Sequence, residues 1–221
     1  MIKSGLNTKD YVYENSIANS IGSARDYFMA QSDGKFRPNF IVTDIVTLDN
    51  NMSYYGGNDS GGDDKKPSYI VKEGIQKANN AGFDFSICDN HGDGEVEFIY
   101  CIYAGYSEAN SVDIDSNTIW PHQWDLESAG TSKKRADGVS CNLYACSSEL
   151  SMNKSYEKEY GKYLAGIGTI CHEFSHCLGL HDVYDVSGVS GNWGMDEWDL
   201  MDQGNYTGDG YIPVGYNSYQ K

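Results

Sequence analysis

His172-Glu173-Phe174-Ser175-His176-Cys177-Leu178-Gly179-Leu180-His181-Asp182 is the stretch on which the reading of this sequence turns. His172 and His176 stand four residues apart. On a helix that spacing puts both imidazoles on one face, where they can reach the same cation. Glu173 projects beside them, placed to serve as general base toward a water activated by zinc. The surrounding Leu164, Ile167, Ile170, Phe174 and Leu178 are apolar, so the helix is expected to be buried. A pair of surface histidines with a salt-bridging glutamate is the plainer alternative. It does not explain why such polar groups sit on an apolar helix.

The continuation supplies a third ligand. Gly179 lets the helix stop and the chain turn back. A residue three beyond that glycine can then reach the metal; in the extended H-E-x-x-H-x-x-G-x-x-H pattern it is histidine. Here the position holds Asp182, a carboxylate that also binds zinc. His181 and Asp185 are the alternatives. Further on, Trp198-Asp199-Leu200-Met201-Asp202 runs into Gln203-Gly204-Asn205, which puts Met201 in a tight turn of the kind found beneath such metals. A rival zinc arrangement takes its third ligand from a second helix, with Glu197 as candidate, but the turn at Gly179 speaks against it.

Working outward, apolar spacing predicts a helix over residues 15–31, ended by Ser32-Asp33-Gly34, and a second from Ser68 to Asn80 with Ile70, Val71, Ile75 and Ala78 inward. Strands are expected at Phe40–Leu48, Glu95–Ala104, Asn117–Trp124 and 141–147. Residues 56–67 read as a flexible loop and 125–140 as a polar insertion. The helix carrying the histidines is expected to begin near residue 158. The chain beyond about Leu180 is rich in Gly, Asp and Asn and shows little periodicity. This order predicts one α/β domain with a mixed sheet.

With 221 residues and a net charge of −16, the chain is long enough for a substantial core and repels nucleic acid and anionic lipid. No apolar run is long enough to span a bilayer. Met1-Ile2-Lys3-Ser4 lacks the apolar core of a signal peptide, and a mature secreted domain would begin the same way. Of the six cysteines, none forms a paired zinc-type motif; disulfides and buried free thiols are both open. Cys171 and Cys177, on different turns of one helix, are not expected to bond to each other.

Several segments together resemble the catalytic domain of the immune inhibitor A family of secreted bacterial metallopeptidases. They are Phe85 to Gly94, Ile102-Tyr103-Ala104-Gly105-Tyr106, Ile119-Trp120-Pro121-His122, Ile167 to Leu180 with Val183-Tyr184-Asp185, the Trp198 to Met201 segment, and Tyr211-Ile212-Pro213-Val214. The resemblance runs from about residue 25 to the end. It implies an α/β, metzincin-like zinc-peptidase fold. A twisted mixed sheet and two long helices would form an upper subdomain (about 1–179), and an irregular lower subdomain (about 180–221) would close a cleft. Trp120 and His122 are candidates to line that cleft, with a Trp packed in the core as the alternative. The resemblance implies a secreted endopeptidase acting on proteins or peptides, and residues 1–221 read as its isolated catalytic domain. The chain is expected to be a monomer. Substrate would pair along the edge strand of the sheet. This sequence departs from the family at His181, often proline there. The tyrosine that in astacin-like metzincins follows the turn methionine by two is Gln203 here, with Tyr206 further along.

Asp89-Asn90-His91-Gly92-Asp93-Gly94 resembles the start of a calcium loop, D-x-[DN]-x-[DN]-G, with His91 in place of an oxygen ligand and Tyr100 where the closing glutamate belongs. Relatives carry the fuller form. Asp89, Asp93 and Glu97 are the candidate calcium ligands, and an Asp/Gly hairpin turn is the alternative. The acidic loop at Asp59, Asp63 and Asp64 is a further candidate. Should the histidine helix hold only a structural metal or none, the chain would instead be a calcium-dependent extracellular binding or adhesion module.

Overall fold

The structure, a computed structural model, describes residues 22–109, 115–151, 162–187 and 191–221. Among them the elements are α1 (Ala24–Gln31), α2 (Met52–Tyr55), α3 (Pro67–Asn80), β1 (Ile99–Tyr106), β2 (His122–Asp125), β3 (Lys134–Ala136), β4 (Val139–Cys141), β5 (Leu143–Ser151), β6 (Tyr163–Leu164) and α4 (Gly168–Cys177). Short 3-10 turns lie at Phe85–Cys88, Asp196–Trp198 and Gln203–Tyr206. The fold is mixed α/β. Its residues group into two compact units, one drawn from 1–42 and 164–221, the other from 43–163.

In the first unit, α1 starts at a capping box. Ser23 Oγ accepts from the Asp26 N–H at 3.2 Å while the Asp26 carboxylate accepts from the Ser23 N–H at 2.9 Å. The helix ends at the expected turn; the part of that prediction over residues 15–21 lies outside the described residues. Phe28 of α1 packs on Phe174 of α4 with ring centroids 4.7 Å apart, and Phe36 and Phe40 close on the same ring at 6.0 and 5.7 Å. This aromatic cluster seats the histidine helix. It also shows why Phe40–Leu48 is not the expected strand. The segment forms no strand: Phe40 packs on Phe174 in the first unit, while Val46 and Leu48 belong to the core of the second. α4 itself starts at Gly168, later than expected: residues 162–167 are not helical, and Gly166 and Gly168 flank its uncapped start.

The second unit is built on a mixed sheet with neighbour order β1-β5-β2. β5 runs parallel to β1, pairing Tyr144 with Ile99 and Cys146 with Cys101, and antiparallel to β2, pairing Cys146 with His122. α3 buries Ser68, Ile70, Val71, Ile75 and Ala78, the expected face, and shares a core with Tyr103, Tyr144 and Cys146 of the sheet. Its first residue is Pro67, whose missing N–H is no loss there. β5 is longer than the strand expected at 141–147, because Ser147 and Ser148 are buried within it; Ser148 Oγ returns its hydrogen bond to the Leu150 carbonyl at 2.9 Å. β2 starts only at His122, since Pro121 has no N–H to give a ladder.

The supposed insertion at 125–140 contains a hairpin, β3–β4, joined by Asp137-Gly138 with φ of 49° and 85°. An Asp-Gly pair at positive φ is the natural two-residue hairpin turn. The Asp137 carboxylate also accepts from the Phe85 N–H and Asn79 Nδ2, at 2.9 and 2.8 Å. The chain before β1 joins this hairpin instead of extending β1: Val96 N–H donates to the Ser140 carbonyl and Ser140 N–H to the Gly94 carbonyl. β1 therefore begins at Ile99 and not at Glu95. Residues 56–66 form a loop that a bridge closes on itself. Asn58 bridges Asp64, and the Asp64 carboxylate accepts from the Trp120 N–H at 2.9 Å.

All six cysteines are free thiols. Gly138→Ala has space for its methyl but no relief from the positive φ. It should lower unfolding stability by about 1–2 kcal/mol in a denaturant titration; an unchanged midpoint would show that the turn is not held in that conformation.

Candidate metal centre

The first unit brings together three of the expected groups. α4 presents His172 and His176 on one face, and their Nε2 atoms are 3.2 Å apart. Leu178 closes the helix, and Gly179 at φ 91° reverses the chain, an angle that side chains with a Cβ rarely adopt. The reversal does two things. It brings the Leu180 carbonyl to His176 Nδ1 at 2.8 Å, and it brings Asp182 Oδ1 to 3.3 Å from both Nε2 atoms. His172 Nδ1 meets the Leu200 carbonyl at 2.8 Å.

These contacts decide the tautomers. A carbonyl oxygen only accepts, so each Nδ1 must carry the hydrogen and donate it. Each neutral imidazole then turns the lone pair of Nε2 inward. Two lone pairs and a carboxylate face one another within 4.8 Å, and Asp182 Oδ1 is buried without a hydrogen-bond partner. Such a set calls for a cation. Two imidazole nitrogens and one carboxylate oxygen, with both outer ring nitrogens tied to carbonyls, suit a tetrahedral zinc with one open position. The residues fit that ion.

The electrostatics agree. Burial, the largest single effect, works against a charge on His172 and His176, but the Asp182 carboxylate, Glu173 and the Leu200 and Leu180 carbonyls together outweigh it and raise both. Burial likewise pushes the Asp182 carboxyl up, and the two imidazoles override it, holding the group well below the usual carboxylate range. The cluster thus draws in positive charge. Glu173, with only 6% of its surface exposed, is pushed up to about 7 by burial, opposed by the two histidines.

His181 and Asp185 do not join this cluster: His181 is exposed, and the Asp185 carboxylate takes the Ser187 N–H at 2.8 Å. Glu197 is also exposed and outside it. Met201 is fully buried in the loop that supplies the Leu200 carbonyl, and its own carbonyl accepts from the Val183 N–H at 3.0 Å, next to Asp182. Two tyrosines were given no role by motif reasoning. The Tyr184 hydroxyl is pushed up to about 12 by burial and then by the Asp182 carboxylate, and Tyr206 is raised by burial with Glu173 adding to it.

A calcium site at Asp89, Asp93 and Glu97 is not supported. Asp89 takes the N–H groups of Gly92, Asp93 and Gly94, Asp93 takes that of Glu95, and Glu97 takes His91 Nδ1 at 2.7 Å. The carboxylates serve the turn itself. Asp59, Asp63 and Asp64 form no cluster either; among the described residues the only metal-type group is His172, His176 and Asp182. In the second unit, Trp120 and His122 line a 970 Å³ cleft with Trp124 and Tyr69. His122 is held there by Tyr144 Oη at 2.9 Å and the Trp120 carbonyl at 2.8 Å.

Residues 6–221 match the catalytic domain of the immune inhibitor A peptidase M6 family. The chain belongs to that family. The resemblance carried by its motifs thus holds across nearly the whole sequence. Among relatives, it is 25% identical over 222 residues to immune inhibitor A of Bacillus thuringiensis subsp. alesti, covering 91% of this chain and 31% of that protein. It is 24% identical over 221 residues to the pre-pro-metalloprotease PrtV of Vibrio cholerae serotype O1 (strain M66-2), covering 90% of this chain and 23% of that protein. The chain therefore spans about a quarter to a third of the length of these relatives.

The placement of the three groups makes their contributions separable. Asp182→Ala should weaken zinc binding by at least about 10-fold, read by competition with a chromophoric chelator, whereas His181→Ala should leave it unchanged. Equal affinities for Asp182→Ala and the parent chain would remove Asp182 from the site.

Proposed function

We propose that this domain is a zinc-dependent endopeptidase in which His172, His176 and Asp182 hold the metal and Glu173 is the general base. The observation that carries this reading is the convergence of two Nε2 lone pairs and a buried, unpartnered carboxylate oxygen, with each Nδ1 donating to a carbonyl. Membership of a metallopeptidase family supports it. Bound zinc supplies Lewis acidity, polarising a peptide carbonyl and making water easier to deprotonate near neutral pH.

The remaining steps belong to the chain's own residues. Glu173 follows His172 directly on α4, and its carboxylate is shielded from bulk water. It takes the proton from the attacking water and delivers it to the amine that leaves as the peptide bond breaks. Shielding keeps that proton from being lost to solvent between the two transfers. The two histidines keep their geometry through the carbonyls of Leu200 and Leu180, and the Met201 carbonyl holds Val183 next to Asp182, so the donor set needs little rearrangement when it loads. The turn after Gly179, the carboxylate at Asp182 and the buried Met201 fit a metzincin-like lower region. The reading extends to a protein substrate and to action outside the cell, in keeping with the acidic composition.

Metal analysis by mass spectrometry, paired with casein cleavage, tests the proposal. About one zinc per chain and cleavage abolished by phenanthroline are expected. Glu173→Gln should keep the zinc and lose turnover by about 10²–10⁴-fold. Full activity in that variant would remove Glu173 as the base, and a parent chain that takes up no zinc would sink the metal centre.

A further inference from the structure

Asp199 is a carboxylate with no exposed surface, and neither the metal donor set nor the proposed chemistry uses it. Its Oδ1 accepts from the Met201 N–H at 2.8 Å and from Gln220 Nε2 at 2.9 Å, and its Oδ2 accepts from Asn217 Nδ2 at 2.6 Å. Its own carbonyl accepts from the N–H groups of Asp202 and Gly204, at 3.2 and 3.0 Å. The loop Asp199-Leu200-Met201 is thus fixed by its first residue from inside and by residues 217–220 from the other side. From that loop two carbonyls lead to the metal centre. The Leu200 carbonyl takes His172 Nδ1–H, and the Met201 carbonyl takes the N–H of Val183, the residue after Asp182.

The segment that clamps Asp199 is anchored on the same unit. Tyr216 Oη bonds Ser175 Oγ on α4, the Tyr216 N–H donates to Gln31 Oε1 at 2.9 Å, and Tyr27 Oη donates to the Val214 carbonyl at 2.8 Å. Residues 214–220 therefore tie α1, α4 and the Leu200 loop together.

We propose that Asp199 is a positioning residue of the metal centre: its buried carboxylate, clamped by Asn217 and Gln220, sets the two carbonyls that orient His172 and the Asp182 segment. The proposal rests on the zinc reading above. It follows from the hydrogen-bond directions. A loop carbonyl holds a histidine tautomer only if the loop cannot rotate, and an internal carboxylate that takes three donors prevents rotation.

The directions also give the test. In Asp199→Asn, an amide that keeps its oxygen toward Met201 and Gln220 must point its NH₂ at Asn217 Nδ2, donor against donor. Asn217 cannot simply flip, because its Oδ1 already accepts from the N–H groups of Tyr219 and Gln220, at 2.8 and 3.1 Å. Asp199→Asn should therefore weaken zinc binding by about 10- to 100-fold, and adding Asn217→Asp, which turns the clash back into a hydrogen bond, should restore most of it. The absorption bands of the cobalt-substituted protein should move in Asp199→Asn and return in the double variant, with the melting temperature of the metal-free chains recorded alongside. A general loss of packing would lower melting without that spectral reversal. If Asp199→Asn does not fold, Asn217→Ala, which removes the Oδ2 donor, should still weaken zinc binding. Unchanged affinity and spectrum in either folded variant overturn the positioning role while leaving the metal reading intact. A parent chain that binds no zinc defeats that reading first.

Discussion

Three groups that can only attract a cation face one another at the end of α4, and the first unit is arranged to keep them there. Two imidazole lone pairs and a carboxylate repel one another unless positive charge lies between them, so the site cannot assemble by side-chain preference. It is imposed from behind. The carbonyls of Leu180 and Leu200 hold the rings, Gly179 turns the chain so that the first of these carbonyls and Asp182 arrive together, and Phe28, Phe36 and Phe40 hold the opposite face of the helix through Phe174. His172 and His176 of the motif point to the metal side and Phe174 into the aromatic cluster, which is why a helix of 10 residues with an uncapped start can carry the centre.

The two flanks of the motif are held by different physics. On the N-terminal side, α1 and the segment after it contribute aromatic rings, a non-directional contact that tolerates small adjustments. On the C-terminal side, the described residues between Leu178 and Met201 include few buried apolar side chains, and they are held by directed hydrogen bonds: Asp185 to Ser187, Asp202 to Met195, Asp196 and Gln203, and Asp199 to Met201. Directed bonds are less forgiving of displacement. They also give fixed carbonyl orientations, which a metal site needs and a purely hydrophobic contact does not provide.

What could be read in advance followed side-chain periodicity. The four-residue spacing put His172 and His176 on one face, the spacing of Ile70, Val71, Ile75 and Ala78 gave the buried face of α3, and the position of Asp182 after Gly179 anticipated where that carboxylate lies. What could not be read depended on partners distant in the chain. Phe40–Leu48 has strand composition but finds no strand to pair with. Ser147 and Ser148 look like loop residues and lie in the middle strand of the sheet. The carbonyls of Leu180 and Leu200 leave no trace in side-chain identity at all. The hairpin was different: Asp137-Gly138 is a recognisable turn signal, masked by the polar residues of β3 on one side of it.

The net charge of −16 is open to a similar correction. Taken as composition, it describes a surface that repels phosphates. In the structure many of the aspartates are internal fittings of turns. Asp59, Asp84, Asp89, Asp115, Asp125 and Asp137 each accept a backbone N–H in the second unit, as Asp185, Asp199 and Asp202 do in the first. Aspartate suits this work because its short side chain caps the N–H groups a residue or two ahead and tolerates the turns themselves. The calcium-like loop at Asp89 is then one member of a general habit of this chain, in which carboxylates close loops on themselves. Asp182 differs in one respect that matters for function: its buried oxygen has no N–H to accept, and it is the one that meets two imidazoles.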